Sequence, residues 1–276
     1  MKKKNAIIGA IICIAIIVIG SCVWYFQVKK PHDLAVNKFN IVAKDVKSKN
    51  KELTSAMDDA QKSLDSQDPV YDESTKEALI TVLSDAKASK RKVPDLPKKT
   101  EDIKSETKKL SEPLDYASVI KDISDKNTAY QNSVQQMKQV TNPSEDFIIQ
   151  RLKDVPNISG YQAVTEDNDP NEQLNKQGGY TATVYFSSPL VDQSQVYGDD
   201  IVDKGTDGGG AIEVYASAED AEKRETYLAG FDGMGALNSG SHKVVGTVLI
   251  RTSYHLTATQ QDEMTTNITN KLLELQ

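Results

Sequence analysis

A run of 21 residues without a charged side chain, Ala6 to Phe26, constrains this chain more than any other feature. As a helix it would extend about 31 Å, because an α-helix rises about 1.5 Å per residue, and this length matches the hydrocarbon core of a bilayer. A buried helix of a soluble protein normally keeps a polar face, and this run has none. The sequence therefore predicts a transmembrane anchor over residues 6–28.

The flanks of the run bear on its orientation. Lysines occupy positions 2–4, Trp24 and Tyr25 lie at the far end, and two more lysines follow at 29–30. Basic residues favour the cytoplasmic side of a membrane and aromatic residues favour its interfaces. We expect residues 1–5 to form a cytoplasmic tail, although the lysines at 29–30 weaken the charge argument.

The same run contains a loose lipobox, Ile19-Gly20-Ser21-Cys22, and this motif offers an alternative. Cleavage there would make Cys22 the lipid-bearing first residue of a lipoprotein. The apolar core of a signal peptide usually covers about 7–15 residues, whereas this run continues through Cys22 into four bulky apolar residues. We predict that the helix is retained, with lipidation of Cys22 as the alternative. Both versions keep the protein on a membrane.

Charge is unevenly distributed along the rest of the chain. Residues 31–141 carry 19 basic and 19 acidic side chains, whereas residues 142–276 carry 9 basic and 21 acidic ones, a net charge of −12. An acidic domain of this kind argues against nucleic acid and anionic lipid as its partners. No cysteine follows Cys22, so the remainder can form no internal disulfide. This fits an exported protein of a Gram-positive-like bacterium, and it fits a cytoplasmic protein equally well.

Residues 31–141 show the spacing of packed helices. Phe39, Val46, Leu53 and Ala60 recur every seven residues, which is one seam of a heptad pattern. Prolines interrupt the pattern and leave short connections between the helices. We therefore predict an all-α stalk folded as an antiparallel bundle, with an intermolecular coiled coil as the alternative.

Part of this stalk resembles a known surface module. The segments "ELTSAMDDAQ" and "VYDESTKEALITVLSDAKAS", over about residues 50–89, are similar to the FIVAR-type helical modules of Gram-positive surface adhesins. Those modules have a Leu/Ala helix, a Tyr-led turn and a second Leu/Ala helix. Asp72 departs from the pattern, which more often has Thr after the tyrosine. The resemblance implies an exported stalk and a C-terminus outside the cytoplasm.

From residue 142 the hydrophobic period changes from helical to alternating. Asn142 and Pro143 read as the N-cap and first position of a helix. "YTATVYFSS" predicts a strand with Tyr180, Ala182, Val184 and Phe186 on one face, "AIEVYAS" predicts a second, and "VVGTVLIRTS" predicts a central strand. A helix over residues 218–228 separates the last two strands, and another closes the chain. We predict an α+β head over 142–276, with helices on one face of a mostly antiparallel sheet.

The head also carries a resemblance. "EDNDPN", "GGYTATVYFSS", "GTDGGGAIEVYAS" and "GSHKVVGTVLIRTS" together resemble the C-terminal domain of uncharacterised membrane-anchored proteins of Gram-positive bacteria, over about residues 142–276. The resemblance implies an architecture and an attachment to the membrane. It implies no chemistry.

One loop of the head has the residue types of a calcium site. Asp167, Asp169 and Asn171 match the first three ligand positions of an EF-hand loop. The sixth position should be Gly and is Glu172, and the twelfth should be Glu and is Gly178. The EF-hand pattern therefore fails. An irregular calcium loop stays open beside the alternative of an Asx-rich surface turn, and no other metal or cofactor is expected.

The glycine run "GTDGGG", Gly205 to Gly210, invites comparison with a phosphate-binding loop. Such a loop needs a helix N-terminus after it, and here a strand follows. We predict instead a hairpin turn around Asp207-Gly208, with "DIVDKG" as the strand before it.

No catalytic signature is present. The chain has no metalloprotease, nucleophile-elbow or Walker motif and no cysteine nucleophile in its soluble part. Asp199, Asp200 and Asp203 could supply paired carboxylates, although a solvated acidic loop is the commoner explanation. If the segment 188–210 crosses back over the sheet, Asp203 would join Asp167 and Asp169 in one acidic site.

These patterns predict a membrane-anchored envelope protein without enzymatic activity. Its stalk would present a head that binds a cell-wall or protein ligand outside the cytoplasm. Two alternatives remain: a wall-directed hydrolase that uses acidic residues of the head loops, and an accessory subunit of another membrane protein.

Overall fold

The computed structural model describes residues 2–234 and 239–275 of the chain. The chain divides into two compact units, of which one consists of Met1–Gln67 and Glu77–Thr128, and the other of Asp68–Lys76 and Ala129–Gln276. The predicted head lies within the second unit, which also takes in two segments of the predicted stalk. The boundary at residue 142 stays a prediction.

The first unit begins with one long helix. α1 (Lys2–Trp24) continues through a π-helical turn (Tyr25–Lys29) into α2 (Lys30–Asp65) without interruption. The widened turn lies where a regular helix would press the ring of Pro31 against the carbonyl of Gln27. Within the described residues this is the one helix long and apolar enough to cross a membrane, and no protein covers its apolar stretch.

Three further helices continue the predicted all-α region: α3 (Glu73–Ser89), α4 (Thr100–Leu110) and α5 (Ala117–Gln139). The four heptad positions predicted on α2 are all buried, as expected for a helix packed along one seam. Phe39 and Val46 pack against Ile103 and Leu110 of α4, so α2 finds a partner within its own chain.

The direction of the α2–α4 pair differs from the predicted antiparallel bundle. His32 Nδ1 lies 3.0 Å from Thr100 Oγ1 near the start of both helices, and Lys49 Nζ, further along α2, donates to the Leu114 carbonyl at 3.0 Å just beyond the end of α4. The two helices therefore run parallel. The reason is the proline-containing segment 90–99, which runs extended back along α2 before α4 begins.

The second unit is built on a five-stranded antiparallel sheet in the order β1-β2-β3-β5-β4. Its strands are β1 (Gly160–Ala163), β2 (Tyr180–Ser187), β3 (Gly209–Tyr215), β4 (His242–Val245) and β5 (Val248–Thr252). Its helices are α6 (Glu145–Leu152), α7 (Ile201–Lys204), α8 (Ala218–Ala229) and α9 (Ala258–Leu273). The mostly antiparallel sheet is confirmed, and so is the predicted helix after "AIEVYAS", because α8 lies between β3 and β4.

Two local predictions were wrong because a turn and a cap were misplaced. "VVGTVLIRTS" is not one strand but the β4–β5 hairpin, since Gly246 adopts a positive φ of 64° between Val245 and Val248. The N-cap of α6 is Ser144, whose hydroxyl accepts from the Phe147 N–H, while Asn142 takes a left-handed conformation before Pro143.

Helices cover both faces of the sheet, not one as predicted. α6 and α9 pack on the face that carries Val184, Phe186 and Ile212. On the opposite face α8 packs against Tyr215 and Leu249, and α7 adds Val202. Sequence spacing indicated neither the short α7 nor the burial of β3 along its whole length, and a strand buried on both sides needs cover on both faces of the sheet.

A β-bulge changes the face of one predicted core residue. The β2–β3 register shifts between Tyr180 and Ala182, so Tyr180 leaves the face of Ala182 and joins Tyr215 on the other. The two tyrosine rings meet edge to face, with centroids 6.3 Å apart. This displacement brings the Tyr180 hydroxyl to the predicted calcium loop.

Candidate functional site

The loop between β1 and β2 is organised around the carboxylate of Asp169. One oxygen accepts the backbone N–H of Asn171 at 3.0 Å and the hydroxyl of Tyr180. The other accepts the N–H groups of Gln173 at 2.6 Å and Leu174 at 2.8 Å. This is the Asx-rich turn that the sequence offered as the alternative to a metal site.

These hydrogen bonds shift the ionisation of both partners. Burial raises the pKa of Asp169, but the bonds from Tyr180 and from backbone N–H groups outweigh burial and hold that pKa below its usual value. Burial, with the hydrogen bond to Asp169, raises the pKa of Tyr180 far above its usual value. The pair is therefore a carboxylate and a neutral phenol at neutral pH.

The other two candidate calcium ligands differ in their surroundings. Asp167 is exposed, whereas the Asn171 amide donates to the hydroxyl of Tyr185 at 3.2 Å. Among residues 2–234 and 239–275 no group of three His, Cys, Asp or Glu side chains is arranged to hold a metal ion. Calcium binding by this loop stays a prediction.

The glycine run does not form the predicted hairpin. "DIVDKG" is not a strand: Asp200 accepts the Asp203 N–H at 2.9 Å and caps α7. A 3₁₀ turn (Gly205–Gly208) follows, and β3 begins at Gly209. A strand does follow the glycines, as expected, so they present no helix N-terminus to a phosphate.

The segment before β3 crosses back over the sheet. Gln162 of β1 accepts the Ile201 N–H at 3.1 Å, and Val202 packs with Tyr185 and Ala211. Leu174 of the β1–β2 loop packs against the same cluster. Both connections therefore cover one face. Asp203 is exposed on α7, and an acidic site shared with Asp167 and Asp169 stays a prediction.

The same face holds an ionic cluster that the sequence analysis missed. Glu213 of β3 is fully buried; its carboxylate accepts Arg251 Nη1 at 2.7 Å and Arg224 Nε at 3.2 Å. The Tyr215 hydroxyl donates to it at 2.7 Å. The sequence did carry a signal for it: Glu213 in the apolar strand "AIEVYAS" and Arg251 in "VLIRTS". By strand alternation both residues point to the face opposite Ile212 and Ile250.

The cluster decides the charge state of its members. Burial raises the pKa of Glu213, but Arg251 and Arg224 outweigh burial and leave that pKa below its usual value. Burial and the nearby Glu213 carboxylate raise the pKa of Tyr185 to about 12. Glu213 is thus an anion held between two cations, and the tyrosines around it stay neutral.

A cleft opens beside this cluster. It has a volume of about 440 Å³ and is lined by polar side chains of the β1–β2 loop and of α8, with Tyr215 between them. Gly179 makes the close approach of the loop possible, because a Cβ there would lie 2.0 Å from the Gln173 carbonyl. Arg224 lines the cleft with its side chain one-fifth exposed.

A comparison with known proteins found no family model, no curated protein and no solved structure that matches this chain. The two resemblances noted in the sequence therefore rest on the motifs quoted for them.

Proposed function

We propose that this chain is a single-pass membrane protein of the cell envelope whose stalk and head lie outside the cytoplasm. The carrying observation is the helix over Ile7–Asp65, which has an apolar, charge-free stretch that no protein covers. Leaving such a surface in water would be costly, and a bilayer removes that cost. The FIVAR-type resemblance and the resemblance of the head both support an outward orientation.

We assign the head a binding or structural role without catalysis. The buried Glu213 carboxylate accepts from Arg251, Arg224 and Tyr215, so it is held as an anion and is not available as a proton donor. The acids proposed for a wall hydrolase lie on or beside α7, where Asp200 serves as its cap and Asp203 is exposed. The expected general acid would be a buried carboxyl group. Asp203 is exposed instead, and the hydrogen bonds that Asp200 accepts as the cap of α7 hold its pKa below the usual value.

The two native cysteines test the anchor. Cys13 and Cys22 are both free and uncovered by protein, so lipid alone would protect them from a water-soluble maleimide. We expect Cys13 in unextracted membranes to stay unlabelled, and to label once the protein is denatured. Rapid labelling of Cys13 in untreated membranes would contradict the anchor, and Cys13→Ser is the control for specificity.

A wall-clearing assay tests the absence of hydrolysis. We expect the purified full-length chain to leave the turbidity of isolated cell walls unchanged. Clearing that disappears in Asp203→Asn, and persists in Asp167→Asn, would favour the hydrolase.

A further inference from the structure

We propose that the cleft beside α8 is a binding site for a carboxylate group, and that Arg224 is the residue that binds it. This deepens the binding role proposed for the head and does not depend on how the chain is anchored. The proposal rests on the net charge of the Glu213 cluster and on the hydrogen-bond donors of Arg224 that Glu213 does not use.

The charge of the cluster is unbalanced. Two guanidinium groups, Arg251 and Arg224, share the single carboxylate of Glu213. The tyrosines that bond or face it are neutral at physiological pH, so the cluster carries a net charge of about +1 in a low-dielectric surrounding. A buried excess charge is stabilised by a counter-ion, and an anion that enters the cleft can supply it.

The donors of Arg224 are divided between the protein and the cleft. Its Nε bonds Glu213, and its guanidinium lies 5.4 Å from the ring centroid of Tyr227. In the part of the chain that the structure describes, its two terminal nitrogens have no hydrogen-bond partner, and the residue lines the cleft. These two nitrogens form the planar fork that binds a carboxylate through two parallel hydrogen bonds.

Glu213 makes Arg224 a better receptor than a surface arginine. A free arginine must lose rotamer freedom when it binds an anion, whereas the bond to Glu213 and the ring of Tyr227 already hold this guanidinium. The exposed arginine of a solvated helix would lack both restraints. Preorganisation of this kind is typical of ligand-binding sites.

The walls of the cleft select the kind of anion. At its rim Lys223 is paired with both Glu219 at 2.8 Å and Asp220 at 3.8 Å, so this group of three carries a net charge of about −1 and would repel a doubly charged phosphate more than a carboxylate. Tyr227 is 58% exposed, and the part of its ring that Arg224 leaves uncovered offers an apolar contact to the ligand body. Gln173 supplies a polar side chain opposite. The site therefore fits a monocarboxylate with a flat or apolar body.

The experiment titrates the full-length chain, in a neutral detergent at constant ionic strength, with sodium benzoate, acetate or phosphate against sodium chloride. The readouts are the side-chain NMR signal of the Arg224 guanidinium and the melting temperature. We expect saturable shifts with benzoate and acetate, with benzoate the tighter. We expect phosphate to bind more weakly than either.

The matched variants are Arg224→Gln and Lys243→Gln, which each remove one positive charge from the head; Lys243 is exposed and lies outside the lining of the cleft. We expect Arg224→Gln to weaken benzoate binding roughly ten-fold or more, since a charged hydrogen-bonded pair is lost, and Lys243→Gln to change it less than two- to three-fold. If Arg224→Gln does not fold, Arg224→Lys replaces it; that variant keeps the charge, loses the fork, and should also bind more weakly.

Three results would overturn the proposal: no saturable shift of the wild-type Arg224 signal, equal binding by the Arg224 variant, or an equal loss in Lys243→Gln. A failure here with Cys13 still protected in membranes would remove the carboxylate site alone. An unprotected Cys13 with intact benzoate binding would remove the anchor alone.

Discussion

Among single residues, the buried Glu213 is the position where we expect a small substitution to lower the free energy of unfolding most. Glu213→Gln would leave Arg251 and Arg224 without their shared carboxylate. We expect a loss of about 3–5 kcal/mol in the free energy of unfolding, the usual cost of an unpaired buried charge, measured by urea denaturation. Glu219→Gln removes an exposed acid and should change it by less than about 1 kcal/mol. An equal loss in the free energy of unfolding for both variants would contradict a stabilising role of the Glu213 cluster.

Asp169 should make the stability of the head depend on pH. Its folded pKa is below its usual value, so its contribution is fully present above the unfolded pKa, about 4, and is lost as pH falls through the folded pKa. Asp169→Asn should lower the free energy of unfolding by about 1.5–3 kcal/mol at neutral pH and should flatten its dependence between pH 5 and 2.

The matched control for Asp169 is Asp167→Asn, since Asp167 is an exposed acid in the same loop. We expect it to leave both the stability and its pH dependence unchanged. A pH profile of Asp169→Asn that coincides with that of the wild type would show that the loop does not use the charge of Asp169.

The residues also show where sequence reasoning stops. Alternation in "YTATVYFSS" placed Ala182, Val184 and Phe186 on one face correctly, because period two is a property of any regular strand. It misplaced Tyr180, because the bulge depends on how β2 pairs with β3 and leaves no mark on the spacing. The Glu213 cluster joins residues 213, 224 and 251, and only the folded sheet brings them together.

At the level of the elements, the segment between α3 and α4 makes hydrogen bonds that its basic composition does not indicate. A basic, proline-containing segment such as "KRKVPDLPKK", residues 90–99, is usually a solvated connector. Arg91 instead donates to the carbonyls of Glu112 at 2.7 Å and Pro113 at 3.1 Å, and its own carbonyl accepts the Asn50 amide at 2.8 Å. It therefore joins α2 to the connection between α4 and α5.

We expect Arg91→Ala to destabilise the first unit by about 1.5–3 kcal/mol, because one charged group satisfies several backbone carbonyls. Helical circular dichroism during thermal unfolding of the full-length chain measures this. Lys92→Ala, an exposed neighbour with the same charge, is the control and should change little. A loss of stability no larger than that of the control would show that residues 90–99 act only as a solvated connector.

Element order was predictable and element direction was not. Heptad spacing located the buried seam of α2, since apolar residues at helical spacing must face a partner. The parallel pairing of α2 with α4 depends on the extended path of residues 90–99, and a helical period carries no information on that path. The same holds for the helices on both faces of the sheet.

At the scale of the whole molecule, the head should fold alone, but its best boundary lies before residue 142. Val140 is fully buried in the main core, and its carbonyl accepts the Thr247 N–H at 2.8 Å. We predict cooperative melting for residues 142–276, with residues 129–276 more stable by about 1.5–3 kcal/mol, the value of burying one valine-sized side chain. Equal stability would show that α5 adds nothing to the head.

One measurement tests directly whether the anchor is retained and whether everything after it lies outside the cytoplasm. Intact cells, stripped of their wall, are treated with a broad-specificity protease, and the mass of the fragment left in the membrane is determined. We predict a fragment that begins within residues 1–5 and ends shortly after Lys30, with the stalk and head digested. Survival of the full-length chain would contradict the outward orientation of the stalk and head. A fragment that begins at a lipid-modified Cys22 would contradict a retained anchor.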